Sequence, residues 1–136
     1  DTPVKSSSCY QGYRVMVAED NLINGEIAET FLRTFGFEVD LVKNGQEAFD
    51  TFADSPEGTY SIILMDIQMP VMNGYDAARQ IRSCENGDAK SIPILAMSAN
   101  AFQEDVACSL DAGMNEHLSK PIDMETLFSV IGKYIK

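Results

Sequence analysis

The stretch SIILMDIQMPVMNG, Ser61 to Gly74, decides how the rest of the chain is read. Ile62, Ile63, Leu64 and Met65 form an uninterrupted apolar run of the kind found in strands covered on both faces. The run stops at a carboxylate, Asp66, and Pro70 and the Asn73-Gly74 pair turn the chain just beyond it. A buried strand that ends on an acid beside a loop presents that acid at the edge of a rigid sheet, where functional groups concentrate.

Working outward, a short β-rich run followed by a helical period recurs along the chain. Arg14–Ala18 (RVMVA) is predicted as the first strand, followed by a helix with Ile23, Ile27, Phe31, Leu32 and Phe35 on its inner face and Gly36 as its stop. Phe37–Val42 (FEVDLV) alternates as an edge strand does, and Gly45 opens a helix carrying Ala48, Phe49 and Phe52. After Gly74 comes a short helix with Ala77, Ala78 and Ile81, then a polar loop from Ser83 to Ser91. Pro93–Ser98 (PILAMS) is the fourth strand, and Phe102, Val106 and Leu110 mark a helix ended by Gly113. Glu116–Pro121 (EHLSKP) supplies a short fifth strand, and Asp123 caps a last helix with Leu127, Val130, Ile131 and Tyr134 facing inward. Strands alternating with helices of this length imply an α/β fold, a five-stranded parallel sheet with helices on both faces and right-handed crossovers.

The 136 residues suit one domain, expected over residues 13–136, with the Ser-rich 1–12 segment (DTPVKSSSCYQG) as a linker or boundary remnant of a longer chain. A composition 45% hydrophobic and 23% charged is that of a soluble globular protein. No apolar stretch approaches the roughly 20 residues that a membrane-spanning helix needs. The net charge of −11 argues against direct nucleic-acid binding and for a basic protein partner or a bound metal. Cys9, Cys84 and Cys108 have neither the number nor the spacing of a disulfide framework or a zinc site, so a reducing, cytoplasmic setting is expected.

In a sheet of this kind, ligands sit outside the carboxyl ends of the strands. Those ends carry Glu19-Asp20, Asp66, Ser98 and Lys120-Pro121, so separate segments deliver three carboxylates, a hydroxyl and an ammonium to one edge. Three crowded carboxylates repel one another, and a divalent cation removes the conflict. Oxygen ligands from Asp20 and Asp66, completed by a backbone carbonyl and waters, suit Mg²⁺, with Glu19 orienting a metal-bound water. An ionised Asp66 is also a nucleophile of the kind that forms aspartyl-phosphate. Mg²⁺, Lys120 and the Ser98 hydroxyl would then each hold one equatorial oxygen of the transferred group.

The motifs AEDN, LMDIQMPVMNG, ILAMSANA and HLSKPID, in this order and spacing, resemble those of the receiver domain of two-component response regulators, over about Arg14 to Lys136. The wording of MSANAFQEDVACSLDAGMNEHLSKPID looks most like receivers fused to hybrid sensor histidine kinases. The resemblance implies the flavodoxin-like, doubly wound sheet with strand order 2-1-3-4-5. It makes Asp66 the phosphoacceptor, Glu19 and Asp20 the metal-site acids, Gln68 the source of a metal-binding backbone carbonyl, and Mg²⁺ the cofactor. Ser98 is then the switch hydroxyl, Lys120 the phosphate-pairing lysine, and the bond before Pro121 cis. His117 stands where the family's switch aromatic is usually Tyr or Phe, and Glu19 where Asp is commoner.

The implied partner is a histidine-phosphotransfer domain or histidine kinase, with no direct contact to nucleic acid or membrane. The isolated domain would catalyse only its own phosphorylation and dephosphorylation, and any membrane anchor would belong to the parent protein. A free-standing regulator is the alternative parent. A small Mg²⁺-dependent phosphatase would also use an aspartate nucleophile, but the haloacid-dehalogenase type carries a second acid two residues on, where Gln68 stands. A flavodoxin-like FMN binder is disfavoured because a three-acid pocket repels the cofactor's phosphate.

Overall fold

The computed structural model describes residues 12–98, 107, 110–120 and 122–135. Among them, five strands, β1 (Arg14–Ala18), β2 (Glu38–Val42), β3 (Ile62–Asp66), β4 (Ile94–Ser98) and β5 (Glu116–Ser119), form one parallel sheet in the order β2-β1-β3-β4-β5. Four helices accompany them: α1 (Leu22–Phe35), α2 (Gly45–Asp54), α3 (Gly74–Ser83) and α4 (Met124–Tyr134). The helix expected around Phe102, Val106 and Leu110 falls largely outside the described residues, as does Pro121 with its expected cis bond. The fifth strand ends at Ser119 rather than Pro121, so Lys120 stands just beyond it.

The two faces of the sheet divide by residue parity, because successive side chains of a strand point to opposite sides. Val15 and Val17, Ile62 and Leu64, and Leu95 and Met97 pack with Ala28, Leu32 and Phe35 of α1 and Leu127, Val130 and Ile131 of α4. Met16 and Ala18, Ile63 and Met65, and Ile94 and Ala96 pack with Ala48 and Phe52 of α2 and Ala77, Ala78 and Ile81 of α3. β1, β3 and β4 are therefore covered on both sides, which is why they read as continuous apolar runs. Burying each large side chain here contributes roughly 1.5–3 kcal/mol.

Side-chain caps begin each helix. Asn21, Asn44, Asn73 and Asp123 accept the backbone N–H of Asn24, Glu47, Asp76 and Thr126 in turn. Gly36, at φ 109°, closes α1 in the left-handed conformation that glycine adopts without strain. At the far end of α3, the Arg82 guanidinium donates to the carbonyls of Ala89, Ile92 and Gly113 and to Asn115 Oδ1, tying α3 to the entrances of β4 and β5.

The inner face of α1 differs from the expectation. Gly25, Ala28, Leu32 and Phe35 are its buried residues, Phe31 is partly buried, and Ile23 and Ile27 are 68% and 42% exposed. The buried stripe is the neighbouring one, marked by small residues that let the helix lie close to the sheet. With Leu22 at 70% exposure, the start of α1 presents three apolar side chains outward.

Candidate functional site

Parallel pairing in register brings the strand ends to one edge: Ala18 pairs with Met65, Asp66 with Met97, and Ser98 with Ser119. The residues just beyond β1 and β5, Glu19-Asp20 and Lys120, therefore arrive at the same edge as Asp66 and Ser98. Lys120 Nζ lies 2.9 Å from Glu19 Oε1 and 3.2 Å from Asp66 Oδ2. Its backbone N–H donates to the Ser98 carbonyl at 2.8 Å, which fixes the lysine against β4. Glu19 uses its second oxygen to accept the Asn21 N–H at 3.1 Å. Glu19, Asp66 and Ser98 are buried, whereas Asp20 is exposed, so the acidic cluster opens to solvent on one side.

Parity separates the roles within this edge. Asp66 shares the side of Ile62 and Leu64, towards α1 and α4, whereas Ser98 shares that of Ile94 and Ala96, towards α2 and α3. Asp20, Ser98, Gln68, Met69, Pro70, Asn73 and Tyr75 line a cavity of about 450 Å³ at this edge. His117 pairs with Ala96 across β4 and β5, so it lies on the same face as Ser98 and two residues earlier. It lines a separate cavity with Leu118, Ser119, Ile122, Asp123 and Thr126.

The electrostatics follow from this crowding. Burial, reinforced by the adjacent Glu19 charge, pushes the Asp66 carboxyl up from 3.8 to about 6, against the pull of Lys120. Burial alone lowers Lys120, but its contacts with Glu19 and Asp66 outweigh that and hold the ammonium above its ordinary value. One ammonium thus faces more negative charge than it neutralises. Glu19, Asp20 and Asp66 each offer a carboxylate oxygen, and these atoms lie within 4.8 Å of one another, a donor set that fits a hard divalent cation.

Two glycines hold the loop after Asp66 in place. A Cβ on Gly74 would lie 2.4 Å from the Asp66 carbonyl oxygen, and the Gly74 N–H donates to the Ile67 carbonyl, so α3 starts directly against the acid's backbone. Gly45 donates to the Met72 carbonyl at 2.9 Å, where a Cβ would again clash, stitching the start of α2 to the same loop. The sequence marks both glycines as helix starts. Their close approach depends on segments distant in the chain, and only the assembled fold reveals it.

The fold is an open doubly wound α/β sheet with acids, a hydroxyl and a lysine gathered at its carboxyl edge. The family model of the response regulator receiver domain matches residues 15–132, and the chain belongs to that family. Hybrid signal transduction histidine kinase I of Dictyostelium discoideum is 37% identical over 124 residues, 90% of this chain. The chain spans only 7% of that relative's length.

Among solved structures, the receiver domain of the sensor histidine kinase PA1611 from Pseudomonas aeruginosa PAO1 has 38% identity and a TM-score of 0.81, covering 91% of this chain and 98% of that one. It holds a magnesium ion in its active-site cleft. The receiver domain of the response regulator Ssk1, crystallised with the histidine phosphotransfer protein Ypd1 of Saccharomyces cerevisiae, has 31% identity and a TM-score of 0.80, covering 92% of this chain and 90% of that one. The protein is a receiver domain of two-component phosphorelay signalling. No helix among the described residues is long and apolar enough to cross a membrane.

Proposed function

We propose that Asp66 is the phosphoacceptor of this receiver, that Mg²⁺ binds beside it, and that a histidine-phosphotransfer domain is the donor or recipient. The observation that carries the reading is the Lys120 ammonium lying within 3.2 Å of both Glu19 and Asp66, two of three clustered acids. An Asp66 oxygen attacks the phosphorus of a phosphohistidine. The P–O bond forms as the P–N bond breaks, and the electron pair stays on the imidazole nitrogen, which takes up a proton.

Lys120 is already positioned to pair with an oxygen of the group on Asp66, and Ser98 borders the cavity that this group enters. Asp20, Asp66 and the Gln68 carbonyl, with Glu19 beside them, would hold Mg²⁺, which would supply charge neutralisation. Ser98 moving inward, with His117 on the same face beside it, would carry the phosphorylated state to the β4–β5 side of the molecule. The exposed Leu22, Ile23 and Ile27 at the start of α1 give a protein donor apolar surface next to the acids. A hybrid sensor histidine kinase is the parent that the relatives favour.

Phosphorylated Ypd1, used as a heterologous donor with Mg²⁺, tests this. Radiolabel should move to the wild-type chain and not to Asp66→Asn. Equal transfer to both would refute the assignment of Asp66.

A further inference from the structure

We propose that Asn86-Gly87 is a site of spontaneous covalent modification: Asn86 closes onto the Gly87 nitrogen, with Glu57 taking the proton, loses ammonia and becomes aspartate or isoaspartate. Asparagine is thermolabile, and a following glycine has no side chain to hinder the closure. The chain has four such pairs: Asn24-Gly25, Asn44-Gly45, Asn73-Gly74 and Asn86-Gly87. The fold treats them differently.

In three of them the glycine nitrogen is engaged. Gly25 donates to the Asn21 carbonyl at 2.9 Å within α1, Gly45 to the Met72 carbonyl at 2.9 Å and Gly74 to the Ile67 carbonyl at 2.8 Å. Asn44 and Asn73 are also helix caps, their side chains accepting from the N–H of Glu47 and Asp76. The Gly87 N–H donates to no acceptor among the described residues, and Gly87 is exposed.

The surroundings of Gly87 supply what the reaction needs. Asn86 Oδ1 accepts the Asp88 N–H at 2.8 Å, an Asx turn that closes a ring containing both Asn86 Cγ and the Gly87 nitrogen. The same N–H is placed to hold charge as it forms on that oxygen. The Glu57 carboxylate fills the space beside the Gly87 Cα, where a Cβ would run into it, and so sits beside the proton to be removed. The electron pair on the Gly87 nitrogen forms a bond to Asn86 Cγ as that nitrogen gives its proton to Glu57. The Cγ–Nδ2 bond then breaks, and Nδ2 leaves as ammonia with the proton returned by Glu57. Water opens the resulting ring at either carbonyl.

The modification acts on a clamp. Asn86 Nδ2 donates to the Phe52 carbonyl at 3.3 Å and the Ser55 carbonyl at 2.9 Å, and Asp88 Oδ2 accepts the Gly58 N–H at 2.6 Å. These bonds fasten the loop after α3 to the loop before β3. A carboxylate at position 86 loses both donations and faces two carbonyl oxygens, with Glu57 and Asp88 close by, so the clamp opens.

Prolonged incubation of the chain at neutral pH and body temperature, with aspartate and isoaspartate at each pair quantified by peptide mapping, tests the proposal. Breaking a backbone hydrogen bond first slows the engaged pairs, so native Asn86 should convert about tenfold faster than Asn24, Asn44 or Asn73. In urea the four rates should converge. Glu57→Gln should slow conversion at Asn86 several-fold and leave the other three pairs unchanged. Asn86→Asp, which places the product at the clamp, should speed hydrogen exchange at the Gly58 amide. Native conversion at Asn86 no faster than at the engaged pairs, a wild-type rate in Glu57→Gln, or unchanged Gly58 exchange in Asn86→Asp would overturn the proposal.

Discussion

Replacing Asp66 with Asn should stabilise the metal-free protein at neutral pH, and by an amount that depends on pH in a defined way. The acid rises from 3.8 to about 6 in the fold, chiefly through burial and then through the Glu19 charge. A folded value above the unfolded one means that the proton binds the folded state more tightly. The stability gained from the neutral acid is fully present below about pH 3.8 and is lost as pH rises through about 6. At 1.36 kcal/mol per pH unit, the ionised form therefore destabilises the fold by roughly 3 kcal/mol.

Asn keeps the shape and never ionises, so it serves as the reference. Urea denaturation of both proteins with chelator present, at a series of pH values, gives a difference in unfolding free energy from which groups that titrate independently of Asp66 cancel. That difference, variant over wild type, should grow by about 3 kcal/mol between pH 3.5 and pH 8. A difference that is flat across this range, or that moves in favour of Asp66 as pH rises, would show that Lys120 stabilises the carboxylate more than burial and Glu19 oppose it.

Other expectations follow from the same contacts. Saturating Mg²⁺ should raise the wild-type unfolding free energy, by about 2.7 kcal/mol at a concentration a hundred times the dissociation constant, and chelation should reverse it; thermal unfolding that ignores the cation would count against the three-acid site. Lys120→Ala leaves two buried carboxylates without their ammonium and should cost on the order of 3 kcal/mol at pH 7, measured by urea denaturation without metal. Gly74→Ala forces a methyl group against the Asp66 carbonyl and should cost about 1–3 kcal/mol while slowing labelling by phosphoramidate; wild-type rates would show that the loop yields freely. Val71→Asn, which relieves the positive φ of an exposed valine, should raise stability by about 1 kcal/mol.

Much of this architecture is written locally. β1 and β3 appear in the sequence as apolar runs, and the cap Asp123 marks its helix, because these features depend on neighbouring residues. The site residues could be named from the strand ends because parallel pairing sends every carboxyl end to one edge. The phase of the first turns of α1 is not legible in the sequence. Counting large apolar residues favours the stripe of Ile23 and Ile27, but the sheet accepts the side with Gly25 and Ala28, and only the packing distance between helix and sheet decides this.

The raised pKa of Asp66 and the positive φ of Val71 are equally hidden. The first depends on how deeply a strand end is buried, the second on anchors at Gly45 and Gly74 that meet only in the folded chain.

Asp66 should accept phosphorus only with a divalent cation beside it. Incubation with phosphoramidate and Mg²⁺, followed by intact-mass measurement and peptide mapping, tests it most directly. One phosphoryl group should be gained, located on Asp66 and absent when chelator replaces the metal. An unchanged mass, or a phosphoryl group mapped to any other residue, would contradict it.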